Sequence, residues 1–200
     1  MRTAAHRVFC TAFAAGMMIA SGGTASAAAN FVKNGSFEKP VVAAGGFQNF
    51  ATGQSFPGWK VVGDTGMVSV VSGTFQSQGF TFNAKSGAQW IDLTGPGTKT
   101  ATGVDQSVAT TPGTTYQLTF WVGNVYDPGG IFGISSTVKV SVNGILKLTA
   151  VNALRPASHK QAWKEFTLTI KAVSSHTRIS FINGDPSTDD SNGLDAVRVS

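Results

Sequence analysis

The stretch Tyr116-Gln117-Leu118-Thr119-Phe120-Trp121-Val122 decides the fold class. Residues 116, 118, 120 and 122 are apolar or aromatic, a period of two rather than 3.6. Successive side chains of a strand point to opposite faces, so this segment covers a core with one face only. The pattern repeats on both sides of it. Val138, Val140 and Val142 alternate with Thr137, Lys139 and Ser141. Leu146 and Leu148 alternate with Lys147 and Thr149, and Phe166, Leu168 and Ile170 with Glu165, Thr167 and Thr169. Ile179 and Phe181 flank Ser180, and Val68 and Val70 flank Ser69. No stretch after Asn30 shows helical spacing. Turn chemistry separates the runs: Asn143-Gly144, the strongest short hairpin signal, then Thr111-Pro112-Gly113, Asp127-Pro128-Gly129-Gly130 and Asn183-Gly184-Asp185-Pro186. Many short strands with regular breaks predict an all-β, jelly-roll β-sandwich. Two long connections, residues 72–87 and 123–136, carry aromatic residues and are natural places for binding.

The N-terminus reads differently. Arg2, His6 and Arg7 precede an apolar run from Val8 to Ala20, and Ala25-Ser26-Ala27 matches an A-x-A cleavage site. Residues 1–27 are therefore predicted to be a signal peptide, leaving 28–200 as one domain. Cleavage removes the single cysteine, Cys10, and two of the basic residues behind the formal charge of +5. The remaining Lys and Arg are scattered, which argues against a nucleic-acid partner. No second apolar run is long enough to span a membrane. The expected product is secreted, extracellular or periplasmic, with no disulfide to stabilise it and an oligomeric state that the sequence leaves open.

Strand parity exposes an oddity. In Gln89-Trp90-Ile91-Asp92-Leu93-Thr94, Ile91 and Leu93 belong to the core, so Trp90 and Asp92 point away from it. Trp121 shares a face with Gln117 and Thr119, and Trp163 with Glu165 and Thr167. Three of the four tryptophans thus lie on the face opposite the core. A sugar offers apolar C–H patches and a rim of hydroxyls, which suit an aromatic platform beside Asp or Asn. Trp90, Asp92, Trp121, Asn124, Tyr126 and Trp163 are the candidate glycan-binding residues. The other reading is a satellite core under long loops. Trp59, after Phe56-Pro57-Gly58, reads as structural.

Two carboxylates sit near the chain ends, Glu38 and Asp195. If Val197 and Val199 face the core, Asp195 shares their parity and points inward, where it needs a partner. A Ca²⁺ ion bridging Glu38 and Asp195 is one solution; backbone N–H donors or a Lys or Arg partner are others. Asp185, Asp189 and Asp190 form a second acidic group in a loop.

The segments Phe31-Val32-Lys33-Asn34-Gly35-Ser36-Phe37-Glu38, Phe56-Pro57-Gly58-Trp59, Gln89-Trp90-Ile91-Asp92-Leu93-Thr94-Gly95 and Gly103-Val104-Asp105-Gln106-Ser107-Val108 stand in order. Tyr116-Gln117-Leu118-Thr119-Phe120, Gly123-Asn124 and Gly193-Leu194-Asp195-Ala196-Val197 continue the series. The ordered set resembles domain-of-unknown-function family 642 over residues 30–200, which includes plant cell-wall and bacterial secreted proteins. The resemblance implies a galactose-binding-like sandwich, polysaccharide association and no established catalysis. It also implies a structural calcium near the chain ends, which adds weight to Glu38 and Asp195. Plant members interact with cell-wall polymers and pectin methylesterases. This chain has one module rather than two and no cysteine after residue 27, so those partners do not carry over.

A polysaccharide hydrolase needs two carboxyls at a defined separation, and Asp92 with Glu165 is the conceivable pair. His159 and His176 are isolated, and no nucleophile elbow, zinc-protease motif or P-loop is present. The expectation is a secreted, non-catalytic carbohydrate-binding protein, with a matrix or surface protein that binds another protein as the alternative.

Overall fold

A computed structural model describes residues 29–96 and 100–200, so the signal-peptide expectation for residues 1–27 lies outside the described residues. The described residues form fourteen strands and no helix. In chain order they are β1 (Phe47–Ala51), β2 (Ser55–Phe56), β3 (Trp59–Gly63), β4 (Met67–Ser72), β5 (Phe75–Ser77), β6 (Phe80–Phe82) and β7 (Gln89–Asp92). Then follow β8 (Thr102–Ala109), β9 (Thr115–Asn124), β10 (Ser136–Val142), β11 (Ile145–Asn152), β12 (Ala162–Lys171), β13 (His176–Asn183) and β14 (Gly193–Val199). One six-stranded sheet has the order β1-β4-β7-β14-β9-β12, and the second β11-β10-β13-β8-β3-β2. A separate hairpin pairs β5 with β6.

The two large sheets are antiparallel throughout and enclose the core that alternation predicts. Val68, Val70, Ile91, Leu93, Leu118, Phe120, Val122 and Leu194 of the first sheet meet Val61, Val104, Val138, Val140, Ile179 and Phe181 of the second. Each such side chain contributes about 1.5–3 kcal/mol by leaving water. Asn143 and Gly144 both take positive φ, 50° and 81°, the twist a two-residue hairpin requires. Trp59 is buried in this core, stacks on Phe37 at 5.2 Å and donates its indole N–H to the Asn34 carbonyl at 2.9 Å.

The chain ends run side by side. Phe31 N–H donates to the Val199 carbonyl, and Val197 N–H to the Gly35 carbonyl. This pairing carries Glu38 toward β14 and corrects one parity expectation. The β14 register shifts between Asp195 and Arg198, where Ala196 takes φ of 50°. Val197 and Val199 face the core, but so does Leu194, and Asp195 lies opposite Trp121 on the outer face. A bulge adds one residue and reverses every parity beyond it, which simple alternation cannot see.

Candidate functional site

The outer face of the first sheet carries the expected tryptophans. Ser69, Asp92, Gly193, Gly123 and Trp163 are successive cross-strand partners along one row. Asp195, Trp121 and Glu165 form a neighbouring row, and Trp90 pairs with Val71. Alternation therefore assigns the side of the sheet correctly for all three tryptophans. Their exposure was decided by what lies above them.

The β5–β6 hairpin and the 125–132 connection close over one half of this face. Trp90 is 1% exposed and packs with Val71, Phe80, Phe82, Val125 and Phe132 in a second apolar cluster. It stacks on Phe82 at 6.0 Å and donates its N–H to the Phe82 carbonyl at 3.1 Å. A ring so enclosed offers no platform to a sugar, and the satellite-core reading describes it. The pocket that its edge helps to line, with Phe47, Phe75 and Phe132, holds about 90 Å³. That is far below the roughly 300 Å³ at which ligand clefts begin. Trp163 is half-buried, meets Trp90 edge to face at 6.2 Å and donates its N–H to the Asn83 carbonyl at 2.9 Å. It needs the two glycines in its row. A Cβ at Gly123 would lie 2.9 Å from the Trp163 ring, and one at Gly193 3.1 Å. Glycine inside a strand marks a close approach of another group, a signal that Gly123 carries in the sequence.

The remaining candidates separate. Asn124 is fully buried: its amide donates to the Leu154 carbonyl and its oxygen accepts from Ser136 Oγ. Asp92 Oδ1 accepts from the N–H and hydroxyl of Thr94 and from Asn192 N–H. Burial pushes the Asp92 carboxyl up to about 6, against those hydrogen bonds and with help from the Asp190 charge. Tyr126 is half-buried, with the Arg155 guanidinium 5.3 Å from its ring centre. Trp121 is half-buried and carries the Lys85 ammonium 3.7 Å above its ring. Trp90 and Trp163 come together, but as packing; Asp92 shares only a cross-strand row with Trp163, and Trp121 stands on the other side of Asp195.

Glu38 and Asp195 do converge, on the loop 83–89. Asp195 Oδ2 accepts from Lys85 N–H at 2.8 Å and Ser86 N–H at 2.9 Å, and its Oδ1 from Ala196 N–H. Glu38 Oε1 accepts from Ala88 N–H at 2.9 Å and Gln89 N–H at 3.0 Å. Burial pushes the Asp195 carboxyl up to about 7; the three N–H groups oppose this and the Glu38 charge reinforces it. Four N–H groups of residues 85–89 thus clamp the loop onto the two carboxylates, which keep further lone pairs for the bridging Ca²⁺ expected from the sequence. Among the described residues no three acidic, His or Cys side chains gather as metal ligands.

The clamped loop shapes a groove of about 430 Å³. Its walls are Val41, Val42, Ala44, Ala84 and Ala88, and its polar groups are Glu38, Asn83, Ser72 and Thr74. Asn83 Oδ1 has no hydrogen-bond partner although it is buried. Gln89 is not available, because its amide already bonds the Phe37 and Pro40 carbonyls and Val42 N–H, and the Ser72 and Thr74 hydroxyls bond each other and Gly45 N–H. Asn83 stands in no sequence motif, and the groove is built jointly by residues of 38–44, 72–74 and 83–89.

The conceivable hydrolytic pair is far apart. Asp92 on β7 and Glu165 on β12 are separated by three strand spacings, about 14 Å, before a two-residue offset. Two-carboxylate hydrolysis needs about 5–9.5 Å.

The strand order, the clamped loop and the loop-covered outer face define a galactose-binding-like jelly-roll module. Residues 30–200 match the family model described as "Protein of unknown function (DUF642)", and the chain belongs to that family. No curated protein matches the chain. Among solved structures it is similar to the Stig cyclase Fisc from Fischerella sp. TAU, at 20% identity and a TM-score of 0.56. That match covers 85% of this chain and 95% of the cyclase. It is also similar to TmCBM61, solved with β-1,4-galactotriose, at 19% identity and a TM-score of 0.51, covering 86% of this chain and 98% of that one. At these identities the likeness establishes the fold, which serves both a binding module and an enzyme.

Proposed function

We propose that this protein is a secreted, non-catalytic carbohydrate-binding module whose glycan site is the groove between residues 38–46 and 83–89. The observation that carries this reading is the groove itself. It has the volume of a small-ligand cleft, Val and Ala walls, and the Glu38 carboxylate and Asn83 amide beside them. The likeness to TmCBM61, which was solved with a galactotriose, supports the same class of ligand. The distance between Asp92 and Glu165 supports binding without turnover. Secretion rests on the basic start, apolar run and A-x-A site of residues 1–27.

Titration calorimetry with β-1,4-galactotriose and with soluble cell-wall polysaccharides tests the proposal. Binding is expected for the wild type and is abolished by Ala44→Trp, which fills the groove. Trp90→Phe is expected to leave affinity unchanged. No binding to any glycan overturns the function; binding indifferent to Ala44→Trp overturns this site. Release of shorter oligosaccharides during the titration overturns the non-catalytic assignment.

A further inference from the structure

The sequence contains four Asn-Gly pairs: Asn34-Gly35, Asn143-Gly144, Asn183-Gly184 and Asn192-Gly193. Such a pair is chemically labile, because glycine has no side chain to shield its backbone nitrogen from the preceding side-chain amide carbon. Attack by that nitrogen needs three conditions. The asparagine amide must be free to turn, the glycine N–H must be free of other partners, and the peptide between them must have room to rotate. The fold meets these conditions unequally.

Three pairs are held. Asn34 donates its amide protons to the Lys39 carbonyl at 2.7 Å and the Pro57 carbonyl at 2.8 Å, and its oxygen accepts from Lys39 N–H. Gly35 is buried, and its carbonyl accepts from Val197 N–H. Asn183 is 2% exposed, donates its amide to the Thr100 carbonyl and accepts from Asp185 N–H and the Asn192 amide. The nitrogen that would attack it, Gly184 N–H, donates to the Thr137 carbonyl at 2.8 Å. Asn192 is fully buried, and its amide donates to the Thr137 carbonyl at 2.6 Å and to Asn183 Oδ1 at 2.7 Å. Gly193 lies inside the sheet between β7 and β9, where a Cβ would stand 3.1 Å from Gly123 Cα.

Asn143 differs on each count. It is exposed, at the tip of the β10–β11 hairpin. Its oxygen accepts from Arg178 N–H at 2.9 Å, and among the described residues neither its amide nitrogen nor Gly144 N–H donates a hydrogen bond. A two-residue hairpin leaves the second turn N–H outside the strand ladder. A Cβ at Gly144 would meet nothing within 4 Å, so the 143–144 peptide has space to swing toward the side chain. Arg178 N–H also sits on the oxygen that gains negative charge when the amide carbon is attacked, and a donor at that atom stabilises such an intermediate.

We propose that Asn143 is a site of spontaneous deamidation, and that the fold protects the other three Asn-Gly pairs. Hydroxide takes the Gly144 N–H proton, the nitrogen bonds to Asn143 Cγ, and the Cγ–Nδ2 bond breaks. Ammonia leaves with a proton from water, and a five-membered succinimide remains. A second water opens that ring at either carbonyl, giving aspartate or isoaspartate at position 143. The net change is water in and ammonia out, with no oxidation. Either product adds a negative charge. Isoaspartate also lengthens the backbone of a turn whose length sets the β10–β11 register. The inference does not depend on the glycan assignment.

The test ages the full chain at about pH 9 and about 37 °C and reads the change by tryptic peptide mapping against an unaged control. Trypsin separates the pairs. Val140–Lys147 carries Asn143, Asn34–Lys60 carries Asn34 because Lys39 precedes a proline, and Ile179–Arg198 carries Asn183 and Asn192. Val140–Lys147 is expected to gain about 1 Da and to split into two chromatographic isomers. Its rate is expected to exceed that of the other two peptides at least about tenfold, since buried amides react only when the fold opens locally. Ageing in urea is expected to bring the three peptides to comparable rates. Asn143→Gly, which suits the positive φ of this turn, is expected to abolish the change in Val140–Lys147. Equal rates in the folded protein overturn the proposal, as does an unmodified Val140–Lys147 beside a deamidated Asn34, Asn183 or Asn192. A rate difference that persists undiminished in urea overturns the protection by the fold.

Discussion

Trp90 and Trp121 leave the same sheet on the same side, two strands apart, and end in different environments. Trp90 lies under the β5–β6 hairpin and is held by Phe82, Phe132 and the edge of Trp163. Trp121 lies beyond the hairpin, lined by Asp195 and Glu165 and covered by one lysine. Strand parity treats the two alike. The difference arises from a connection whose own phenylalanines, Phe75 on β5 and Phe80 and Phe82 on β6, supply an apolar underside. A sheet face becomes interior when a loop with an apolar underside can fold back over it, and stays surface otherwise.

This contrast yields measurable consequences. Trp90→Ala removes the largest side chain of the second cluster and is expected to cost about 3–5 kcal/mol, read as a fall in the urea midpoint. A cost under about 1 kcal/mol would mean that the hairpin does not close on the sheet. The next effect is pH-dependent and belongs to the Asp195 side. In the unfolded chain this carboxyl titrates near 3.8, and in the fold near 7. Between those values the folded state binds the extra proton, so stability is fully present below about pH 4 and declines as pH rises toward 7. Urea melts in EGTA from pH 4 to 8 are expected to show a loss on the order of a few kcal/mol, and Asp195→Asn to flatten the slope below pH 7. Asp92 and Asp185, raised to about 6 and about 8, act in the same direction. A stability that rises over this range would contradict the buried placement of these acids.

Gly123→Ala sharpens the comparison from the Trp163 side. Its methyl would meet the Gln161 amide at 2.8 Å and the Trp163 ring at 2.9 Å. Overpacking of this kind costs about 1–3 kcal/mol. Thermal melting of Gly123→Ala beside Gly113→Ala, whose Cβ meets nothing within 4 Å, separates steric crowding from the strain that positive φ adds at Gly113. Smallest of all, Lys85→Ala removes a cation above the half-buried Trp121 ring and is expected to change stability by about 1 kcal/mol or less. Its clearer readout is tryptophan fluorescence, which shifts as that ring gains water.

Much of the fold was legible in the residues. Alternation places Leu118, Phe120, Val122, Val138 and Val140 in the core, and Asn143-Gly144 makes the expected hairpin. The face of Trp90, Trp121 and Trp163 was legible too, as was the meeting of Glu38 and Asp195. The bulge at Ala196 was not, because one residue in the left-handed region leaves no mark on the hydrophobic pattern. Nor was the fate of Asn124, whose amide is consumed by Leu154, thirty residues away in the chain. The groove needed three segments, 38–44, 72–74 and 83–89, and its polar lining includes Asn83, which stands in no motif.

By itself the sequence determined the class of fold and the side of the sheet that each strand residue takes. Both follow from a two-residue period and local turn chemistry, which depend only on near neighbours along the chain. Tertiary structure decided which tryptophans are closed off, which carboxylates clamp a loop and which oxygens remain unpaired. Those outcomes depend on contacts between residues fifty to more than a hundred positions apart, such as Glu38 with Gln89 and Asp195 with Lys85. Burial and hydrogen bonding are properties of such pairs, and only the folded chain brings the pairs together.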